Sequence, residues 1–195
     1  MKSSHFCKLA VTASLVMGIV SGAQAAGSNT AKVTFLGNIV DSPCSVTLDT
    51  EDQTVNMGSS IGNGTLSNGK TTINNARTFH IDLEGCTWAT EKNMNVVFTT
   101  GSGTTAATGA TDNLALMKTD GTGAISNVSL AIGDAGKNNI KLGDTYTQAI
   151  ADLDGDSILD EKQSLNFTAW LVGAATGTVG TGEFSSAANV TISYL

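Results

Sequence analysis

Three cysteines, two histidines and one dense run of carboxylates are the residues in this 195-residue chain whose types and spacing could do chemistry. Cys44 and Cys86 lie too far apart for a redox Cys-x-x-Cys. With His80 beside them they still fall short of the four ligands that a structural zinc site takes. Asp152-Leu153-Asp154-Gly155-Asp156-Ser157-Ile158-Leu159-Asp160-Glu161 offers alternate carboxylates, which suit a hard cation such as calcium. Ser157 occupies the place of the glycine that an EF-hand loop needs at its sixth position, and Gln163 that of the bidentate glutamate. Asp152, Asp154, Asp156 and Asp160 therefore make a weak calcium candidate, and a solvated acidic loop is the expected state. His80 stands in an alternating segment without a partner nucleophile, and no Gly-x-Ser-x-Gly elbow occurs. Glycines 101 to 109 lack the lysine of a phosphate loop. Trp88 and Trp170 are read as packing or subunit-contact residues rather than as a sugar platform. The sequence thus points to no enzyme, no cofactor and no resident metal.

The first residues bear on compartment, and so on cysteine chemistry. Lys2, His5 and Lys8 precede an apolar stretch from Leu9 to Val20, and Ala23-Gln24-Ala25 supplies the small residues that a signal peptidase reads. Residues 1–25 are expected to be a cleaved leader, since the stretch is shorter than the ~20 residues of a spanning helix. Cys7 leaves with it. Cys44 and Cys86 then remain as an even pair in an exported chain, for which a disulfide is expected. Without Lys2 and Lys8, the 10 Lys and Arg fall to 8 against 17 Asp and Glu, a net charge near −9. An acidic chain with no basic cluster is a poor partner for nucleic acid.

The elements that position these residues read as strands. Val33, Phe35 and Ile39 lead into the first cysteine; Phe79, Ile81 and Leu83 alternate with His80, Asp82 and Glu84 before the second. Leu165, Phe167, Ala169 and Leu171 share one face, with Asn166, Thr168 and Trp170 on the other, and Val190, Ile192 and Tyr194 follow near the C-terminus. Glycine-rich stretches at 58–69, 101–109 and 173–182 read as loops. A turn or two of helix around Tyr146–Leu153 is the single helix candidate. Short strands with glycine-rich turns in one mature domain predict an all-β sandwich. A last strand with nothing after it to pair against would leave an edge that something else must cover.

Val33-Thr34-Phe35-Leu36-Gly37-Asn38-Ile39-Val40-Asp41-Ser42-Pro43-Cys44-Ser45-Val46 resembles the opening of mature chaperone–usher pilins of the type 1 and P-fimbria kind. Phe79 to Cys86 is similar to their strand into the second cysteine, and Leu165 to Leu171 to their penultimate core segment. Gly182, fourteenth from the C-terminus, and the penultimate Tyr194 resemble their terminal motif. The resemblance implies an incomplete immunoglobulin-like sandwich that lacks its last strand and is completed by donor-strand exchange. It implies a leader at 1–25, a donor extension at 26–36 and a sandwich domain at 37–195. Asn29, Ala31, Val33 and Phe35 would point into a neighbouring subunit, with Ala31 where a glycine is usual. Gly182, Val190, Ile192, Tyr194 and the carboxylate of Leu195 would meet a periplasmic chaperone. Implied partners are identical or related pilins in a head-to-tail polymer, the chaperone, an outer-membrane usher and a host receptor reached through the fibre. The expected place is a fimbrium outside the cell, reached through the periplasm. A minor adaptor or terminator pilin, a single-domain adhesin, and a self-contained secreted binding domain are the alternatives.

Overall fold

The computed structural model describes residues 32–34, 36–39, 42–153, 155–156 and 158–195. The chain divides into two units, one up to Ile39 and one from Val40 to Leu195. In the first, the described residues form no strand, and Val33, Leu36 and Ile39 are 67%, 93% and 100% exposed. The leader, most of the expected donor segment (Asn29, Ala31, Phe35) and Asp154 of the acidic loop lie outside the described residues.

In the second unit, alternation turns directly into strands. β2 (Arg77–Glu84) buries Ile81 and Leu83, and β9 (Gln163–Gly173) buries Leu165, Phe167, Ala169 and Leu171. They pair antiparallel, with Phe79 opposite Phe167 and Ile81 opposite Leu165. β6 (Ala124–Asp134) continues the sheet beyond β9, followed by β5 (Ala110–Lys118) and β10 (Phe184–Ser185). β1 (Ser45–Val46) adds to the other side of β2, while β4 (Ala106–Ala107) pairs with β5 and β7 (Asn139–Ile140) with β6. The second sheet has the order β11 (Ala188–Tyr194), β3 (Asn93–Thr100), β8 (Thr145–Ala149).

Aromatic contacts tie the sheets face to face. Phe98 of β3 meets Phe167 of β9 edge-on, with ring centroids 4.9 Å apart, and Tyr146 of β8 meets the same Phe167 at 6.0 Å. Such pairs add about 0.5–1.5 kcal/mol to the burial of the rings themselves. The architecture is the all-β sandwich read from the sequence.

Two readings are corrected. Residues 146–149 are strand rather than helix: Thr145, Tyr146 and Thr147 belong to β8, paired to β3 with Tyr146 opposite Val96. β-branched residues flanking a half-buried tyrosine fit a pleated surface better than a helix. Among the described residues the one α-helical turn lies instead at Leu48–Glu51. The outward face of β9 is also not simply solvent-facing, because Trp170 is 4% and Thr168 2% exposed. Gly133 of β6 makes the seat for Trp170; a Cβ there would come within 2.6 Å of the indole ring.

Candidate functional site

β11 is where the sandwich is unfinished. Its alternate residues Val190, Ile192 and Tyr194 pair with Phe98, Val96 and Met94 of β3. All three β3 side chains are 0% exposed, whereas the three on β11 are only half-buried. Neighbours in one sheet, with the same inward orientation, differ because β3 has strands on both sides and β11, among the described residues, has β3 alone. Among the described residues nothing pairs with the far edge of β11, which leaves a row of backbone donors and acceptors beside a half-buried apolar face.

The segment that follows β1 is fastened to β2. The Thr47 amide donates to the Asp82 carbonyl at 2.9 Å, Thr50 Oγ1 accepts from the Asp82 amide at 3.1 Å, and Gln53 Nε2 donates to the His80 carbonyl at 2.6 Å. Polar side chains thus clip this segment to β2 where no strand pairs with it. Farther along, Met57, Ile61 and Phe79 are half-buried apolar residues against the core.

Contacts mark both ends of the gap. At one end the ring of Tyr194 lies 5.8 Å from that of Trp88. Trp88 Nε1 donates to the Asp160 carbonyl at 2.8 Å, so this tryptophan is a packing residue with its polar edge satisfied. The Leu195 carbonyl accepts from the amides of Lys92 and Asn93, which extends the β11–β3 ladder by one step. At the other end the approach to β11 helps to enclose a cavity of ≈ 90 Å³, lined by Ile61, Leu66, Leu116, Val128, Leu171 and Phe184 among others. Gly182 lies on this wall with φ +143°, a backbone conformation that L side chains rarely adopt.

The disulfide joins Cys44 to Cys86 beside the Tyr194 end, as expected. The Thr87 amide donates to the Pro43 carbonyl at 2.9 Å and the Cys86 amide to the Glu161 carbonyl at 3.0 Å. The start of the described domain, the end of β2 and the end of β11 therefore converge.

Burial raises the phenol pKa of Tyr194, an effect that Ser42 partly offsets. Burial, and then the charge of Asp134, raises that of Tyr146. The unfolded chain gives up these protons first, near pH 10, so it binds fewer protons than the folded chain above that point. Stability is expected to fall as pH rises past about 10. Urea midpoints measured at neutral and alkaline pH should diverge, and the combined Tyr146→Phe and Tyr194→Phe variant should lose part of that divergence.

The other described residues singled out in the sequence have polar groups close by. His80 Nε2 lies 3.5 Å from the Asp82 carboxylate, which accepts from Ser164 Oγ at 2.6 Å. The serine thus faces the carboxylate rather than the imidazole. In the acidic loop, Asp152 Oδ1 accepts from the Gly155 amide, Asp156 Oδ1 from the Ile158 amide and Asp160 Oδ2 from the Leu153 amide. Among the described residues no group of three or more His, Cys, Asp or Glu is placed to hold a metal.

The family model described as fimbrial protein matches residues 33–195. A fimbrial-like protein of Escherichia coli K12, YfcV, is 36% identical over 193 residues, covering 98% of this chain and 100% of the relative. The major MR/P fimbria protein of Proteus mirabilis is 35% identical over 188 residues, covering 96% and 97%. Among solved structures, a chaperone-usher pilus structure that addresses rod uncoiling aligns with TM-score 0.63 at 23% identity, over 87% of this chain and 98% of the other. The P pilus rod subunit PapA aligns with TM-score 0.59 at 21% identity, over 79% and 100%. At these identities the alignments speak to the fold, and they agree with the sandwich described above.

Proposed function

Because the chain belongs to the fimbrial protein family, and is a structural subunit of bacterial surface fimbriae, we propose that it builds the shaft of its fibre by lending a strand to the open edge of β11 in the next copy. The observation that carries this reading is the contrast between the fully buried inner face of β3 and the half-buried face of β11 in register with it. A strand laid along β11 would complete the backbone ladder and cover Val190, Ile192 and Tyr194. This is strand addition, in which main-chain hydrogen bonds give affinity and alternate side chains set register.

The donor is residues 26–36 of another copy, with Asn29, Ala31, Val33 and Phe35 facing the gap. The ≈ 90 Å³ cavity at the Gly182 end has room for one branched aliphatic side chain of that strand. Before assembly a periplasmic chaperone covers the same edge and grips the Leu195 carboxylate, and an outer-membrane usher passes the subunit outward. The contact joins two different surfaces of one chain, so it propagates rather than closes. The shaft role, rather than an adaptor or terminator role, is favoured by the kinship with a major fimbria protein along nearly the whole length of both chains. No catalytic step enters this account, and contact with a host receptor is made by the fibre.

Filaments sheared from cells and warmed gently in detergent should resolve as a ladder of multiples of this chain, and strong heating should collapse it to monomer. A monomer under every mild condition, or a chain present only in traces, would remove the shaft assignment.

A further inference from the structure

Charge is unevenly divided between the two ends of the domain. Asp49, Glu51, Glu84, Asp160 and Glu161 gather with Asp82 at the end that holds the disulfide and Tyr194, where Lys92 and Lys162 are the opposing cations. Exposed apolar side chains share this pole: Leu48 is 87%, Leu153 70% and Ile158 68% exposed. Leu83, Glu84, Leu153 and Lys162 help to line a notch of ≈ 270 Å³ there. At the opposite end stand Lys118, paired across from Phe184, Lys70, whose carbonyl accepts from the Gly173 amide, and Arg77, which opens β2; Asp120 and Glu183 are the carboxylates nearby.

Pro43, whose carbonyl accepts from the Thr87 amide at 2.9 Å beside the Cys44–Cys86 disulfide, places the start of the described domain at the acidic pole. A donor strand lying in a neighbour's gap can leave it at either end. Leaving at the Tyr194 end would bring two acidic poles together, which within a Debye length of about 8 Å is repulsive. Leaving at the Phe184 end brings the acidic pole of one copy to Lys70, Arg77 and Lys118 of the next. Resting on the strand-lending function proposed above, we infer that the acidic pole is a second docking surface, and that it seats on the cationic end of a second copy of this chain. Lysine stems suit a notch lined by Leu83 and Leu153 together with Asp82 and Glu84, since their methylenes bury while the ammonium meets the carboxylates. Like-charge repulsion disfavours the reversed encounter and opposite charge speeds the productive one.

The test separates strand insertion from seating. A synthetic peptide of residues 26–36 carries no pole, so it should bind the mature chain with little dependence on salt. Association of whole mature chains should slow about tenfold or more between about 0.02 M and about 0.5 M salt. The combined Lys70→Glu, Arg77→Glu and Lys118→Glu variant should assemble slowly at low salt. The exposed-residue variant Asp49→Lys, Glu84→Lys and Glu161→Lys should do the same, and a chain carrying both sets should recover most of the rate. Peptide binding together with chain association indifferent to salt and to both charge reversals would overturn the seating alone. A peptide that does not bind would overturn the strand-lending function, and the seating with it.

Discussion

A chain that lacks Ser28–Phe35 should fold, keep its melting temperature and contribute nothing to a fibre. The described core does not draw on this segment: the buried residues run from Cys44 to Val179, and Val33 is 67% exposed. What the deletion removes is the cover for β11 in the next copy. Net backbone hydrogen bonds contribute about 0.5–1.5 kcal/mol each, and a fully buried aliphatic side chain about 1.5–3 kcal/mol. Four bonds and two side chains along β11 together give on the order of 5–12 kcal/mol before the cost of ordering the donor. That spans the difference between millimolar and nanomolar association, so losing it should abolish the detergent ladder rather than thin it. Binding of a strand-donating chaperone to β11 should persist in the truncated chain, because that edge is intact. The deleted segment supplied as a peptide should occupy the edge and cap growth of the intact chain. Polymer formed by the truncated chain would show that the donor lies elsewhere.

The parts of the fold that were legible in the sequence are those with one wet face. β2, β9 and β11 declare themselves by period two because His80, Asn166 and Thr191 alternate with core residues. Strands covered on both faces give no such alternation. In β5 and β6, Asn113, Ala115, Ser129 and Ala131 are buried along with the core residues Leu114, Leu116, Leu130 and Ile132. Trp170 shows the same effect in one residue. Its parity places it on the outer face, and nothing local tells that Gly133 leaves a seat for it there. β8 was misread because Thr145–Ala149 has only five residues and its partner lies some fifty positions away.

The site divides in the same manner. Val190, Ile192 and Tyr194 were legible from alternation, and Cys44 with Cys86 from compartment and parity. The fastening of the segment after β1 was not. Gln53 and Thr50 hold their segment to β2 through side-chain bonds to residues about thirty positions on, a pairing that leaves no periodic trace. The cavity beside Gly182 gathers residues from Ile61 to Phe184, so no window of sequence contains it. The openness of β11 is a property of what fails to pair with it, which composition and period cannot express. The resemblance to a known family supplied that expectation.

Cutting the disulfide should cost this subunit about 2–5 kcal/mol, a large share of the 5–15 kcal/mol that holds a typical domain together. Cys44 and Cys86 are 6% and 2% exposed and 42 positions apart. Closing a loop of that length constrains the unfolded chain by about 4 kcal/mol on the chain-entropy model. Folded-state contacts at the same place offset only part of the loss. β1 contributes two residues of pairing to β2, and the amide of Thr87 donates to Pro43. The denaturant midpoint of the Cys44→Ala, Cys86→Ala variant should fall and its slope should rise, because the unfolded chain freed of its loop exposes more surface, and reducing the native protein should give a similar change. An unchanged midpoint in both would mean that pairing at β1 holds the start of the domain unaided. Assembly should suffer more than the midpoint predicts. Thr87 holds Pro43 beside Cys44 and the adjacent Trp88 meets Tyr194, so a loosened start leaves the start of the domain and the end of the acceptor strand unfixed together. Chains that still fold without the bond should therefore assemble more slowly, and the defect should deepen with temperature as the remaining contacts at this junction open.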